Sequence, residues 1–125
     1  MFIGAHVLFY TSDPAADRAF LRDVLGFPAV DTGDGWLIMK LPPAEAGVHP
    51  LTGPSDPAPD VYGMAAAQVY LLCEDIAATL AQLGARGVNC PPPHNEGWGI
   101  RTAITMPSGA VIGLYQPLHE TALGL

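Results

Sequence analysis

The chain has 125 residues and a formal net charge of −7, with 12 acidic residues against 5 basic ones. Nucleic-acid binding rests on clustered lysine and arginine, and the basic residues here are dispersed, so the composition excludes a nucleic-acid partner. Hydrophobic residues make up 50% of the chain, but no apolar run approaches the ~18 residues that a membrane span needs. The length suits one domain or two small modules that share a core.

The start of the chain lacks the basic region that precedes the apolar part of a signal peptide, so we expect a cytoplasmic location. The two cysteines, Cys73 and Cys90, do not form the pattern of a disulfide framework. Net acidity favours a cationic small molecule as a partner, although negative charge that only keeps the protein soluble is the simpler account.

The first predicted elements are a strand, a cap and a helix between Gly4 and Phe27. Small and aromatic residues alternate over residues 5–10, which predicts a strand with His6 on one of its faces. Asp13 then stands at an N-cap position, with Pro14 at the first helical position and Gly26 where a helix commonly ends.

The same order recurs in the second half of the chain. Residues 68–88 contain an alternating apolar strand, a capping Asp75, a helix with an apolar stripe, and then glycine. Gln68 and Trp98 follow His6 and Trp36 at the same constant offset at which Asp75 follows Asp13. The sequence therefore predicts a duplicated module.

The rest of the chain predicts short strands separated by turns and one long linker. Residues 36–41 and 46–49 read as strands, with room for another strand around residues 27–31. Residues 50–66 are rich in Pro, Gly, Ser and Asp and read as a linker. Strands over 98–106 and 110–116 then flank a hairpin turn at residues 107–109, Pro-Ser-Gly.

Two copies of a strand–helix–hairpin unit resemble the vicinal oxygen chelate superfamily of glyoxalases, bleomycin resistance proteins and extradiol dioxygenases. The resemblance is carried by HVLFYTSDPAADRAFLRDVLGF, by QVYLLCEDIAATLAQLGARGV and by TAITMPSGAVIGLYQP. It implies an α+β fold with one glyoxalase-like domain over residues 1–125. In this domain two βαβββ modules, at residues 1–49 and 67–117, enclose a cleft. The resemblance also implies a homodimer. A ferredoxin-like βαββαβ sandwich is the alternative, and the number of strands after each helix separates the two.

The resemblance also implies a site for a divalent metal ion. Its ligand positions fall on His6, His49 and Gln68, while the fourth, usually a glutamate, falls on Gly113. Imidazole and amide donors without a carboxylate would hold a hard divalent ion weakly. For His6 and His49 the alternative is a cleft histidine that is satisfied by a backbone carbonyl or by water, and for Gln68 it is a hydrogen-bonding strand residue.

Aromatic residues and one arginine are the candidates for binding a substrate. Strand alternation places Tyr70 and Tyr115 on the faces that carry Gln68 and Gly113, and Trp36 and Trp98 occupy equivalent module positions. Arg101 could pair with an anionic group. Core packing of the tryptophans and exposure of the arginine are the alternatives.

Two classes of function follow from the resemblance. One is a metal-dependent lyase, isomerase or dioxygenase that acts on a small oxygenated substrate. The other is a metal-free small-molecule binding protein of the antibiotic-resistance type. An accessory module without a ligand is a third. Sequence motifs for phosphate loops, dinucleotide binding and serine or thiol nucleophiles are absent from the chain.

Overall fold

The structure of the protein is a computed structural model that describes residues 6–48, 61–63 and 67–125. Within these residues the elements are α1 (Pro14–Asp23), β1 (Ala29–Asp31), β2 (Leu37–Met39), β3 (Tyr70–Leu72), α2 (Ile76–Ala85), β4 (His94–Asn95), β5 (Gly99–Thr105) and β6 (Val111–Pro117). The α+β class is therefore confirmed. The chain divides into two compact units, one of residues 1–41 and 105–111 and the other of residues 42–104 and 112–125.

Both helices begin at the predicted aspartates. The Asp13 carboxylate accepts a hydrogen bond of 3.2 Å from the Ala16 N–H, and the Asp75 carboxylate accepts one of 3.1 Å from the Ala78 N–H. Each bond satisfies one of the donors that a helix N-terminus leaves unpaired. Pro14, which has no N–H to satisfy, occupies the first position of α1.

The strands of the described residues form two sheets. One is the antiparallel pair of β1 and β2. In the other, the strand order is β3-β6-β5-β4, with β3 parallel to β6 and β4 antiparallel to β5. The register of the parallel pair sets Tyr70 opposite Gly113 and Leu72 opposite Tyr115.

The second unit has its core on one face of the larger sheet. Ile104, Ile112 and Leu114 are nearly inaccessible to solvent, and Ile76 and Leu83 of α2 are also buried. The Ile76 N–H donates to the Gln116 side-chain oxygen at 3.0 Å, which ties the start of α2 to β6. Because strand residues alternate between faces, Arg101, Gly113 and Tyr115 lie on the opposite face of the sheet.

The second module has the predicted βαβββ order, because β3 and α2 are followed by three strands. The ferredoxin-like alternative is wrong, since it allows only one strand after the second helix. Residues 94–95 form the short edge strand β4.

The first module departs from the prediction. Residues 6–10, predicted as a strand, have no regular secondary structure, and neither do residues 46–48. A strand needs a hydrogen-bonded neighbour, and no strand of the described residues pairs with either segment. The linker predicted over 50–66 falls almost entirely outside the described residues, so the predicted module boundaries stay a prediction. Neither helix in the described part of the chain has the length and apolar character that crossing a bilayer requires.

Candidate functional site

Three aromatic side chains meet on the face of the larger sheet that lies opposite the core. We call Tyr70, Trp98 and Tyr115 the aromatic cluster. Their ring centroids are 6.3 Å apart for Tyr70 and Trp98, 5.4 Å for Tyr70 and Tyr115, and 5.1 Å for Trp98 and Tyr115, with interplanar angles of 85°, 83° and 85°. Edge-to-face pairs at these distances are favourable because the positive edge of one ring meets the negative face of the next. The structure thus brings together three of the residues predicted to bind a substrate.

Two glycines make room for the tyrosine rings. A Cβ atom built on Gly113 would overlap Cδ1 and Cε1 of Tyr70 and would lie 2.8 Å from Cγ. A Cβ built on Gly99 would lie 2.7 Å from Cδ2 of Tyr115 and 3.1 Å from the Gln116 carbonyl oxygen. Real Cβ contacts are essentially never shorter than 3.0 Å, so each ring lies directly against strand backbone that only glycine leaves open.

The Tyr115 hydroxyl is held by a histidine that the sequence reasoning missed. The His119 Nε2 atom is 3.1 Å from the hydroxyl, and its Nδ1 atom is 2.8 Å from the Glu120 carbonyl oxygen. Since a carbonyl oxygen only accepts, Nδ1 carries the proton of the neutral ring, and Nε2 accepts from the phenol. The Leu118 N–H donates to the Trp98 carbonyl at 2.9 Å, and this hydrogen bond holds the C-terminal tail beside the cluster. No local sequence pattern predicts this contact.

Burial raises the pKa of Tyr115 above its ordinary value. Loss of hydration is the largest cause, and electrostatic interactions with Glu45 and Tyr70 add to it. Glu45 itself accepts a hydrogen bond of 2.6 Å from the Ala122 N–H. Tyr115 therefore stays a neutral phenol that donates a hydrogen bond at physiological pH.

Arg101 projects from β5 beside the cluster. Its Nε–H donates to the Glu96 carboxylate at 2.9 Å. That hydrogen bond is the main reason why the pKa of Arg101 is raised, and Tyr70 raises it further. An open groove of about 350 Å³ adjoins the pair, and its lining includes Pro91, His94, Glu96 and Arg101.

Trp36 does not belong to the aromatic cluster. It lies in the other unit, is 55% exposed, and has the guanidinium carbon of Arg18 at 4.3 Å from its ring centroid. This is a cation–π contact. The structure therefore supports a local partner for Trp36 in its own unit, and its role in substrate binding stays a prediction.

The described residues do not test the predicted metal site as a whole, and its ligand set stays a prediction. His6 and Gln68 are both exposed and lie outside helices and strands, and they belong to different units. His49 lies outside the described residues. Among the residues that the structure describes, no group of three or more His, Cys, Asp or Glu side chains is placed to hold a metal ion.

The residue at the fourth ligand position does not fit the set of metal ligands that the resemblance implies. That position is Gly113, which offers no donor atom. A glutamate there would start from a Cβ atom in the space that the Tyr70 ring fills. Two glutamates outside the helices and strands are each engaged in a hydrogen bond, Glu45 with Ala122 and Glu96 with Arg101.

A family model identifies the class of protein to which this chain belongs. It describes the Glyoxalase/Bleomycin resistance protein/Dioxygenase superfamily and matches residues 4–114. The chain belongs to this superfamily, as the sequence resemblance predicts. A search of curated proteins gave no match.

Solved structures of superfamily members share the fold. TnmS3, an antibiotic binding protein from Streptomyces sp. CB03234, has a TM-score of 0.59 and 24% identity over 94% of this chain and 99% of that one. A glyoxalase/bleomycin resistance protein from the same organism has a TM-score of 0.53 and 26% identity over 85% and 93%. A lactoylglutathione lyase from Agrobacterium tumefaciens has a TM-score of 0.52 and 19% identity over 86% and 88%.

Proposed function

We propose that this protein is a small-molecule binding protein that holds a planar aromatic ligand against the aromatic cluster and does so without a metal ion. The observation that carries the proposal is the Tyr70 ring, which lies on Gly113 where the superfamily's carboxylate ligand would project. A ring in that place replaces a metal-binding group with a surface for stacking. The proposal selects the second of the three function classes that the sequence left open.

The cluster has the physical character of a binding surface for flat molecules. Trp98 is 43% exposed although it contacts both tyrosines, so part of its indole is free to stack on a ligand. The Tyr115 ring is buried and fixed by His119, which makes it a rigid wall. Ligand sites commonly combine such apolar surfaces with a few polar groups. Rigid rings also lose little conformational entropy when a ligand binds.

Two of the three neighbours have names that fit this choice of class, whereas the third is named a lactoylglutathione lyase. One of them is named an antibiotic binding protein and another carries bleomycin resistance in its name. At such low sequence identity the likeness carries the fold, so the proposal rests on the cluster and not on the names. Lyase or dioxygenase activity would require the metal set whose fourth position is Gly113.

Fluorescence of Trp98 tests the binding proposal directly. The chain has 2 tryptophans, so a Trp36→Phe background makes Trp98 the sole indole reporter. Titration with a panel of planar aromatic compounds should quench this fluorescence and raise the melting temperature for at least one of them. The variant Trp98→Leu should lose the thermal shift. A panel that neither quenches Trp98 nor shifts the melting temperature would overturn the proposal.

Metal independence needs a separate measurement. We expect ligand affinity to be unchanged after exhaustive chelation, and unchanged within about twofold in His6→Ala and Gln68→Ala, because these residues have no part in the stacking surface. Affinity that falls on chelation and returns with a divalent metal ion would contradict the metal-free site. A control variant, Gln82→Ala on helix α2, corrects for unspecific effects.

We also propose that the protein acts as a homodimer, as the resemblance implies. Light scattering coupled to size exclusion at micromolar concentration should give twice the 13.1 kDa mass of one chain. A monomeric mass at the concentrations used for ligand titration would contradict this.

A further inference from the structure

The arginine beside the aromatic cluster indicates which aromatic ligands the site takes. We propose that the groove next to the cluster receives an anionic oxygen group of the ligand on Arg101, so that the ligand class is planar aromatic carboxylates and sulfonates. This inference rests on the proposed binding function and adds the charge of the ligand to it.

The guanidinium of Arg101 has more N–H donors than its ion pair with Glu96 uses. Arginine carries five N–H donors in a planar fork, which suits a carboxylate or sulfonate with two acceptor oxygens. Among the described residues, the carboxylate of Glu96 accepts a hydrogen bond from the Nε–H of this fork. The side chain of Arg101 is 45% exposed and lines the groove. Tyr70 of the aromatic cluster also interacts with the guanidinium, so a group that enters the groove meets the donors that Glu96 and Tyr70 leave open.

The N–H donors of Arg101, and not the net charge of the groove, favour an anion over a cation. Although the whole chain carries a net charge of −7, the ion pair of Arg101 and Glu96 makes the groove locally neutral. A cation would have to compete with Arg101 for Glu96. An anion can add to the fork while Glu96 keeps the Nε–H, so that Arg101 retains a partner throughout. Glu96 still repels an incoming anion and therefore weakens its binding.

A pair of fluorescent probes separates the ring from the charge. Anilinonaphthalene sulfonate is anionic, and N-phenylnaphthylamine has the same rings without the sulfonate. We expect the wild-type protein to bind the sulfonate more tightly. In Arg101→Gln the affinity for the sulfonate should fall roughly tenfold or more, which is typical for the loss of a charge-assisted hydrogen bond, while the neutral probe changes less than about twofold. Glu96→Gln should tighten sulfonate binding a few-fold.

Two further variants control for charge and folding. Arg22 also forms an ion pair with a carboxylate, that of Asp23, and is not among the residues that line the groove, so Arg22→Gln removes the same net charge from the chain and should leave both affinities unchanged. Arg101→Lys keeps the charge without the planar fork and should give an intermediate affinity for the sulfonate. Circular dichroism of each variant checks that it folds.

The outcomes distinguish this inference from the proposed function. If Arg101→Gln weakens both probes equally, or neither, Arg101 does not receive the anion and the inference is overturned. A planar cationic dye that binds more tightly than the sulfonate and depends on Glu96 would overturn it as well. In each case the proposed function still stands if the wild-type protein binds the neutral probe and Trp98→Leu does not. If neither probe binds, the inference falls together with the aromatic site.

Discussion

The contact between Gly113 and Tyr70 gives the sharpest test of the site. In Gly113→Ala, the new methyl group would overlap the tyrosine ring. To restore ordinary carbon contacts, the ring must move by roughly an ångström away from β6. Overpacking of this kind costs about 1–3 kcal/mol, and loosened edge-to-face contacts with Trp98 and Tyr115 add up to ~1 kcal/mol each.

An opposing effect reduces the expected loss. Alanine is more favourable than glycine in a strand by about 0.5–1 kcal/mol because its unfolded chain has less backbone freedom. We therefore expect Gly113→Ala to lower the free energy of unfolding by about 1–4 kcal/mol. In a Tyr70→Ala background the overlap disappears, and the same substitution should be neutral or slightly stabilising.

Urea denaturation followed by circular dichroism measures all four members of this double-mutant cycle. Gly84→Ala is the matched control, since a Cβ there meets no atom within 4 Å and alanine favours the helix. It should raise the free energy of unfolding by about 0.5–1 kcal/mol. If Gly113→Ala is tolerated as well as Gly84→Ala, or costs the same with and without Tyr70, the placement of the ring on Gly113 is wrong.

Three further predictions concern stability. Because burial raises the pKa of Tyr115 above its ordinary 10.0, the folded state holds this proton more tightly than the unfolded state. The contribution of Tyr115 to the free energy of unfolding is therefore complete below about pH 10 and is lost as the pH rises through the folded pKa. Tyr115→Phe should flatten this alkaline decline, and parallel curves for the two proteins would refute the reasoning. The Asp17 carboxylate, 4% exposed, accepts hydrogen bonds from the Ser108 N–H at 3.0 Å and from its hydroxyl at 2.6 Å, so Asp17→Ala should cost about 2–4 kcal/mol in urea denaturation. Asp23→Ala, exposed on the same helix, should cost far less than Asp17→Ala, and equal losses would contradict the role of the buried Asp17–Ser108 contact. Asp75→Ala should cost about 1 kcal/mol because α2 loses its N-cap, whereas Asp75→Ser should keep most of the stability; equal losses in the two variants would argue against capping.

Local features of the fold could be predicted because their partners are close in sequence. A capping aspartate bonds to an N–H three residues along the chain, so Asp13 and Asp75 identify the helix starts without reference to the rest of the molecule. The hairpin turn before β6 is local in the same sense. The superfamily follows from the repetition of these local units, and the family model confirms it.

Strands were predicted less well, because alternation of apolar residues describes a face but does not supply a neighbour. Residues 6–10 alternate as clearly as any strand of the chain and have no regular secondary structure. In contrast, residues 94–95 carry no apolar pattern and form a strand because they pair with Ile100 and Arg101 of β5. Pairing partners are distant in sequence, and local propensity does not contain them.

The candidate site, like the fold, could be predicted only in part from the sequence. The sequence alone determined which residues are aromatic and which strand faces carry Tyr70 and Tyr115. Only the tertiary structure decided that these rings meet Trp98, since their contact depends on the parallel register of β3 with β6. It also decided that His119 holds the Tyr115 hydroxyl and that the Tyr70 ring fills the space over Gly113. The physical reason is that a composition and a pattern specify which groups are present, whereas contacts between distant segments specify which of them share one volume.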